Sequence, residues 1–312
     1  MIKVHLDTDL GGDIDDLCAL ALLLTWPDVE ITGITTVIDD GGRRAGYTRY
    51  ALDMAGRPDI PVAAGADGSC GRFRFAAGLP REESYWPAPV APAPGPLDDA
   101  LALLTRSIEA GARIVAIGPY TNLALLDEAY PGLLARADLY LMGGHLQPIP
   151  TGFPQWDNTM DFNVQFDVTS ARYLLERYSP TLIPLDVTAQ TALRRSYLPV
   201  LRSAGPLGQL LARQAEAFAA DEAYEQTYGR GCTGLPDDLI NFQHDPLACA
   251  VALRWEGVTK EGVHVSTRMR DGWLCEQVDE AGQPMTVVTT VEGARFNEFW
   301  LNTITGQGWR HA

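Results

Sequence analysis

Apolar residues alternate over Ile2, Val4 and Leu6, and after a polar stretch they run unbroken over residues 17–24. Alternation predicts a strand and the unbroken run a buried helix, with a tight loop between them. Gly11 and Gly12 sit in that loop and allow the backbone to turn sharply and approach a ligand. Residues 29–38 (VEITGITTVI) read as a second buried strand, 43–55 as a helix and 61–64 as a third strand. The alternation continues with an amphipathic helix over 97–110, strands over 113–117 and 139–142, and a helix over 167–178. Residues 182–185 form the last clear parallel strand, and helices follow to about residue 223. An apolar helix opens at His244-Asp245-Pro246, strand-like runs follow (VHVST, TVVTT), and a final helix lies around 296–301. Strands alternating with helices predict an α/β fold with a mostly parallel, Rossmann-like central sheet covered on both faces. No internal repeat or clean linker interrupts the chain, so residues 1–312 are expected to form a single domain.

In sheets of this kind ligands bind at the carboxyl ends of the strands. Both acidic stretches, 7–16 and 39–40, therefore fall on one edge. Residues 68–96 are rich in Gly, Pro and Ala, a length expected of a lid or a structureless loop. Tyr85 and Trp86 within it could stack on a planar ring or pin the loop to the surface. The polar stretch over 147–163 brings Asn158, Asp161 and Asn163, all able to bind hydroxyls.

Charge changes the picture most at the first loop. Asp7, Asp9, Asp13, Asp15 and Asp16 lie within ten residues, and no Lys or Arg occurs between Lys3 and Arg43. Like charges this close raise each other's pKa or demand a cation. The following helix N-terminus offsets about half a charge, too little for five carboxylates. Hard oxygen ligands without Cys or His favour Ca²⁺ or Mg²⁺ over zinc. An EF-hand starting at Asp7 fails, because Gly11 and Cys18 stand where ligands are needed. No Gly-x4-Gly-Lys-Ser/Thr loop is present, and an aspartyl phosphatase lacks its downstream Lys, which leaves a Mg²⁺ phosphohydrolase as a distant alternative. The net charge of −16 repels phosphate backbones and anionic membranes but tolerates a neutral nucleoside. Five scattered cysteines without a C-x-x-C are expected as reduced thiols of a cytoplasmic protein. The N-terminal pattern leads to the expectation of no secretion signal, and no apolar run in the sequence is long enough to span a bilayer as a helix.

Taken in order, the blocks Asp7-Thr8-Asp9 through Asp15-Asp16, Ile34-Thr35-Thr36-Val37, Gly118-Pro119-Tyr120-Thr121-Asn122-Leu123-Ala124, Met142-Gly143-Gly144, Asp161-Phe162-Asn163, Leu185-Asp186-Val187-Thr188 and His244-Asp245-Pro246-Leu247-Ala248 resemble the nucleoside hydrolase superfamily, the inosine–uridine-type N-ribohydrolases. The resemblance covers essentially the whole chain. It implies Ca²⁺ bound by Asp9, Asp16, Asp245 and the backbone carbonyl of Thr121, with the sugar diol and a water completing the shell. It further implies Asp9 as the base for that water, Asp15 and Asn163 on ribose hydroxyls, Asp161 and Asn158 at the 5′ end, and Met142 packed on the sugar. His244 is the candidate for protonating the leaving base, and Tyr224, Tyr228 and Trp86 are candidates for contacting it. Family members are commonly dimers or tetramers, so a homo-oligomer is expected.

Three features depart from the family pattern. The acidic loop has two additional residues, Gly12 and Asp13, between Asp9 and Asp15. Asp40 stands where many relatives have Asn, able to donate to a purine nitrogen when protonated or to accept from a sugar hydroxyl when ionised. No His occurs in the 68–96 loop. Hydrolysis of ribonucleosides is the expected reaction; another N-riboside, or a non-catalytic riboside-binding role, is the alternative.

Overall fold

The computed structural model describes residues 1–70 and 78–306. Its strands are β1 (Ile2–Thr8), β2 (Val29–Thr36), β3 (Val62–Ala64), β4 (Arg113–Ala116), β5 (Asp138–Met142), β6 (Thr181–Ile183), β7 (Leu193–Arg194), β8 (Leu239–Asn241), β9 (Val258–Arg270), β10 (Trp273–Val278) and β11 (Gln283–Val291). Nine of them form one sheet in the order β10-β9-β11-β6-β5-β4-β1-β2-β3, and β7 and β8 pair separately. From β3 through β11 every neighbouring pair is parallel, while β9 and β10 run antiparallel at the edge. The mostly parallel α/β fold expected from the apolar pattern is thus observed.

The strand over 182–185 is not the last parallel one. β11 pairs parallel with β6, placing Thr286 opposite Thr181 and Val287 opposite Leu182. The run TVVTT identifies a strand but carries no information about its direction, which β9 and β10 set by folding back as a meander.

β1 lies inside the sheet, between β2 and β4. Val4, Leu6 and the polar His5, Asp7 and Thr8 are all buried there, which is why the apolar alternation ends abruptly in polar residues. Each of these buried polar residues has a side-chain partner, although Asp7 Oδ2 itself has none. His5 lies between Ser107 Oγ (2.9 Å) and Thr35 Oγ1 (3.0 Å), and burial pushes its pKa down to about 3. Asp7 Oδ1 accepts from Thr35 Oγ1 at 2.5 Å and Asn122 Nδ2 at 2.7 Å.

The Asp15–Thr25 helix leaves the loop after β1 and buries Leu17, Cys18, Leu20, Ala21 and Leu22. It packs against the His244–Ala252 helix within one hydrophobic cluster. Burying a leucine side chain contributes about 1.5–3 kcal/mol, so several together anchor these two helices firmly. Trp300 Nε1 donates to the Cys18 carbonyl at 3.1 Å, tying the Gly293–Ile304 helix to the same layer. The two helix N-termini that carry Asp15-Asp16 and Asp245 therefore start side by side.

Part of the 68–96 loop, residues 71–77, lies outside the described residues. Beyond it, Glu82–Tyr85 is a short helix. Trp86 is buried, stacked on Tyr47 at 4.4 Å and 7° and edge-on to Tyr50 at 5.5 Å. An aromatic so enclosed on both sides pins the segment to the Arg43–Met54 helix and is not available to stack on a ligand.

Candidate active site

A cavity of about 600 Å³ opens at the carboxyl edge of the strands. Asp9, Asp13, Asp15, Asp16, Met142, Asp161, Asn163, Tyr224, His244 and Asp245 all line it. The chain thus brings residues from its first and last thirds into one chamber. One oxygen each of Asp15, Asp16 and Asp245 lies within 4.8 Å of the others. Asp15 therefore belongs to this cluster, beyond the ribose role that the resemblance implied. Asp9 lines the same wall, and its Oδ1 is 2.8 Å from where a Cβ on Gly118 would sit. Any side chain at Gly118 would push Asp9 out of place.

Burial drives the carboxyls of Asp15, Asp16 and Asp245 well above the usual range, and each is raised further by its acidic neighbours. Burial also raises Asp9, with the Arg44 guanidinium opposing it. Thr8 Oγ1 donates to Asp16 Oδ1, and the Asp245 amide donates to Asp15 Oδ2 at 3.4 Å. Among the described residues, Arg44 is the only Lys or Arg lining the chamber. Its Nε donates to the Ile38 carbonyl at 2.9 Å and its Nη1 to the Asp9 carbonyl. One guanidinium cannot balance four or more carboxylates, and the all-oxygen donor set suits a hard divalent ion.

At one end of the chamber, Asn163 Nδ2 donates to the carbonyls of Ile117 (2.9 Å) and Met142 (3.2 Å), which leaves its Oδ1 to meet a ligand. Asp161 caps the Phe162–Phe166 helix through Val164 N at 3.1 Å. Gly144, in the left-handed region at φ +92°, turns the loop after β5 so that three successive amides meet three different carboxylates. Gly144 N donates to Asp161 Oδ2, His145 N to Glu276 Oε2 (3.3 Å) and Leu146 N to Asp186 Oδ1 (3.0 Å). Burial pushes Asp161 up to about 6 and Glu276, with Asp161 beside it, up to about 8.

Glu276 therefore keeps its proton in the folded protein up to about pH 8, whereas the unfolded chain releases it near pH 4.3. The native state holds more protons through this window, so the group's contribution to stability falls as pH rises. Glu276→Gln, which cannot ionise, is expected to flatten the decline in melting temperature between pH 5 and pH 8. A decline as steep as that of the parent protein would show that Glu276 is not its source.

At the other end, His244 Nδ1 is 2.7 Å from Thr188 Oγ1. The ring lies over Phe242 at 5.4 Å and 28°. Burial lowers its pKa to about 4, so the imidazole is neutral near pH 7. When the Thr188 hydroxyl donates to Nδ1, the proton resides on Nε2. Tyr224 lines the chamber, but Tyr228 stands one layer behind, edge-on to Trp156 at 5.3 Å and to Tyr224 at 5.2 Å.

Four further expected residues do not line the chamber. Asp40 is exposed in a single 3₁₀ turn, Asp40–Gly42. Asn158 donates Nδ2 to the Leu274 carbonyl (3.0 Å), holding β10 instead of a hydroxyl. Thr121, implied as a ligand through its backbone carbonyl, is buried, and its hydroxyl, a different group, donates to Asp167 Oδ2 at 2.7 Å. Trp86 is packed as described above. Residues that the sequence did not single out complete the walls: Arg44, Trp156, Phe218, Asn241 and Phe242. The sequence offers only weak signals for these: Trp156 lies within the polar 147–163 stretch, and Phe242 two residues before His244.

Comparison with known proteins adds to this geometry. The profile of a family described as inosine-uridine preferring nucleoside hydrolase matches residues 4–298. A pyrimidine-specific ribonucleoside hydrolase, RihA, of Klebsiella pneumoniae is 28% identical over 281 residues, covering 84% of this chain and 85% of its own. A plant nucleoside hydrolase shares the fold with a TM-score of 0.77 and 20% identity, covering 97% of this chain and 99% of its own. A purine-preferring ribonucleoside hydrolase from Gardnerella vaginalis aligns with a TM-score of 0.75 and 24% identity over 98% of this chain and 99% of its own.

Proposed function

The chain belongs to the inosine-uridine preferring nucleoside hydrolase family, and we propose that its ribonucleoside hydrolase activity depends on a divalent cation, Ca²⁺, held by Asp15, Asp16 and Asp245 beside a base, Asp9. The observation that carries this reading is the convergence of carboxylates from opposite ends of the chain within 4.8 Å. Three buried acids with so little neutralising charge are unstable as anions unless a cation joins them, and Ca²⁺ takes six to eight oxygens in flexible geometry. When bound, such an ion supplies oxygen coordination for the sugar's vicinal hydroxyls and lowers the pKa of a neighbouring water.

The side chains then divide the remaining work. Asp9, fixed between Gly118 and the acidic wall, takes the proton from the water that attacks C1′. Asn163 Oδ1 and Asp161 orient the ribose, with Met142 against its face. Cleavage of an N-glycosidic bond, like glycoside hydrolysis, passes through an oxocarbenium-like transition state. The surrounding carboxylates are already oriented to stabilise that positive charge. In the tautomer with its proton on Nε2, the neutral His244 donates a hydrogen bond to the departing base. The chamber is too acidic for a phosphate substrate.

The five cysteines without disulfides support a reducing, cytoplasmic compartment, and no helix among the described residues is long and apolar enough to cross a membrane. Assembly as a homo-oligomer is the reading that goes with the family resemblance, and light scattering would test it. The reaction itself is tested by a reducing-sugar assay with purine and pyrimidine ribonucleosides, with and without chelator. Release of ribose that stops with chelator and returns with Ca²⁺ is expected; undiminished release in chelator would overturn the metal role.

A further inference from the structure

Eight carboxyl groups and a single guanidinium, that of Arg44, line the chamber among the described residues. Arg44 is held at the Asp9 end, on the carbonyls of Ile38 and Asp9. Five of the carboxyls belong to the acidic cluster, the base Asp9 and the Asp161 end. Asp13, Asp221 and Glu222 have no part in those roles. Asp13 is half-buried, while Asp221 and Glu222 are exposed. The last two close the Gly205–Glu222 helix, three and four residues after Phe218, a spacing that sets them beside its ring on one helix face. Tyr85 Oη donates to Asp221 Oδ2 at 3.1 Å, tying that carboxylate to the opposite wall of the chamber.

The same end is walled by Trp156, Phe218, Tyr224 and Phe242. Trp156 stands edge-on to Phe242 at 4.9 Å and Tyr224 edge-on to Phe218 at 5.4 Å, and both Trp156 and Tyr224 are only half-buried. Two phenols register the local field: burial raises the pKa of Tyr224 and of Tyr85, and the charges of Asp13 and Glu222 raise both further. Aromatic faces are themselves negative, and rings combined with carboxylates form the surroundings in which a weakly hydrated cation is held. If the sugar diol sits at Asp15, Asp16 and Asp245 with its 5′ end towards Asp161, the base enters this aromatic end. The step to a substrate class rests on that hydrolase reading.

We propose that the chamber favours N-ribosides whose planar base carries a fixed positive charge, a pyridinium or an N-alkylated purine, over neutral nucleosides of the same size. A neutral base gains only the stacking contacts of the aromatic end. A cationic ring gains those together with the attraction of Asp13, Asp221 and Glu222, against which no basic side chain stands at that end. The reaction balances without an added acid. The water oxygen bonds to C1′ as the C1′–N bond breaks, the bonding pair stays on the glycosidic nitrogen and cancels the charge of the ring, and the water's proton passes to Asp9. The base departs as a neutral molecule, which the negative end of the chamber no longer retains.

The test compares nicotinamide riboside, a pyridinium, with benzamide riboside, a neutral isostere in which carbon replaces the ring nitrogen at the sugar bond. Dissociation constants are measured by calorimetry on full-length Asp9→Asn in Ca²⁺, so that the intrinsically easier cleavage of the cation does not enter. The cation is expected to bind about tenfold tighter at low salt. The preference is expected to fall towards one in about 1 M NaCl, where charges are screened within about 3 Å. Adding Asp221→Asn and Glu222→Gln, which keeps an acceptor for Tyr85, is expected to lower the preference by about threefold. Should that protein fail to fold, the salt series carries the test. The parent protein is assayed in parallel for cleavage of nicotinamide riboside, uridine and inosine. Equal affinities, or a preference undiminished by high salt or by the two substitutions, would overturn the proposal; if the parent still cleaves uridine or inosine, the hydrolase reading survives that failure. Cation-selective binding without cleavage of any of the three would uphold the proposal and instead remove the hydrolase reading. Neither binding nor cleavage would overturn both.

Discussion

Asp9→Asn is expected to lower kcat by about 10²–10⁴-fold, the contribution of a positioned general base, with little change in KM. The asparagine keeps the shape against Gly118 but cannot accept the water's proton. Because a carboxyl among like charges is lost, the melting temperature is expected to hold or to rise. This pairing of outcomes separates a chemical role from a structural one. Initial-rate kinetics on the best nucleoside, together with thermal melts, read both. A variant with near-parental kcat would remove Asp9 as the base and direct attention to Asp13 or Asp15 on the same wall.

Asp245→Ala is expected to weaken Ca²⁺ binding by more than about 100-fold, since even residues that only support a metal ligand contribute 10–100-fold in affinity. The argument is geometric. Asp245 is the one member of the triad supplied from the carboxyl-terminal third of the chain, at the start of the His244–Ala252 helix. Without it, Asp15 and Asp16 remain as adjacent residues on one turn and cannot enclose an ion. In the parent protein, Ca²⁺ at a hundred times its Kd should add about 2.7 kcal/mol of stability. Melting curves with and without Ca²⁺ should therefore diverge for the parent and coincide for the variant. A full Ca²⁺-dependent shift in Asp245→Ala would exclude it from the site.

Much of this arrangement was legible in the chain because its signals are local. The alternation in β1, the acidic loop and the apolar Asp15–Thr25 helix are contiguous, and strand-end placement of ligands follows from parallel topology. His244 and Asp245 were legible only through the ordered family blocks. Other features could not be read. Trp86 could be read either as stacking on a ligand or as pinning its loop, and the choice between them is made by Tyr47, on a helix some forty residues earlier. Asn241 meets Asp13 across 228 residues, and no spacing rule connects two such positions. Arg44 appeared as one of two adjacent arginines on a helix, and only folding turns its guanidinium onto the Asp9 carbonyl. The register of the lengthened acidic loop was equally out of reach. Asp15 joins Asp16 and Asp245 because the loop's two added residues are taken up before the helix begins.

The central assertion is that one hard cation sits where the two ends of the chain meet. A crystal grown with Ca²⁺ and examined for anomalous scattering tests it most directly. An ion bonded to carboxylate oxygens of Asp15 or Asp16 and of Asp245, at about 2.3–2.6 Å, is the predicted result. Saturating Ca²⁺ with no density between these side chains, or an ion bound elsewhere while they remain apart, would contradict it.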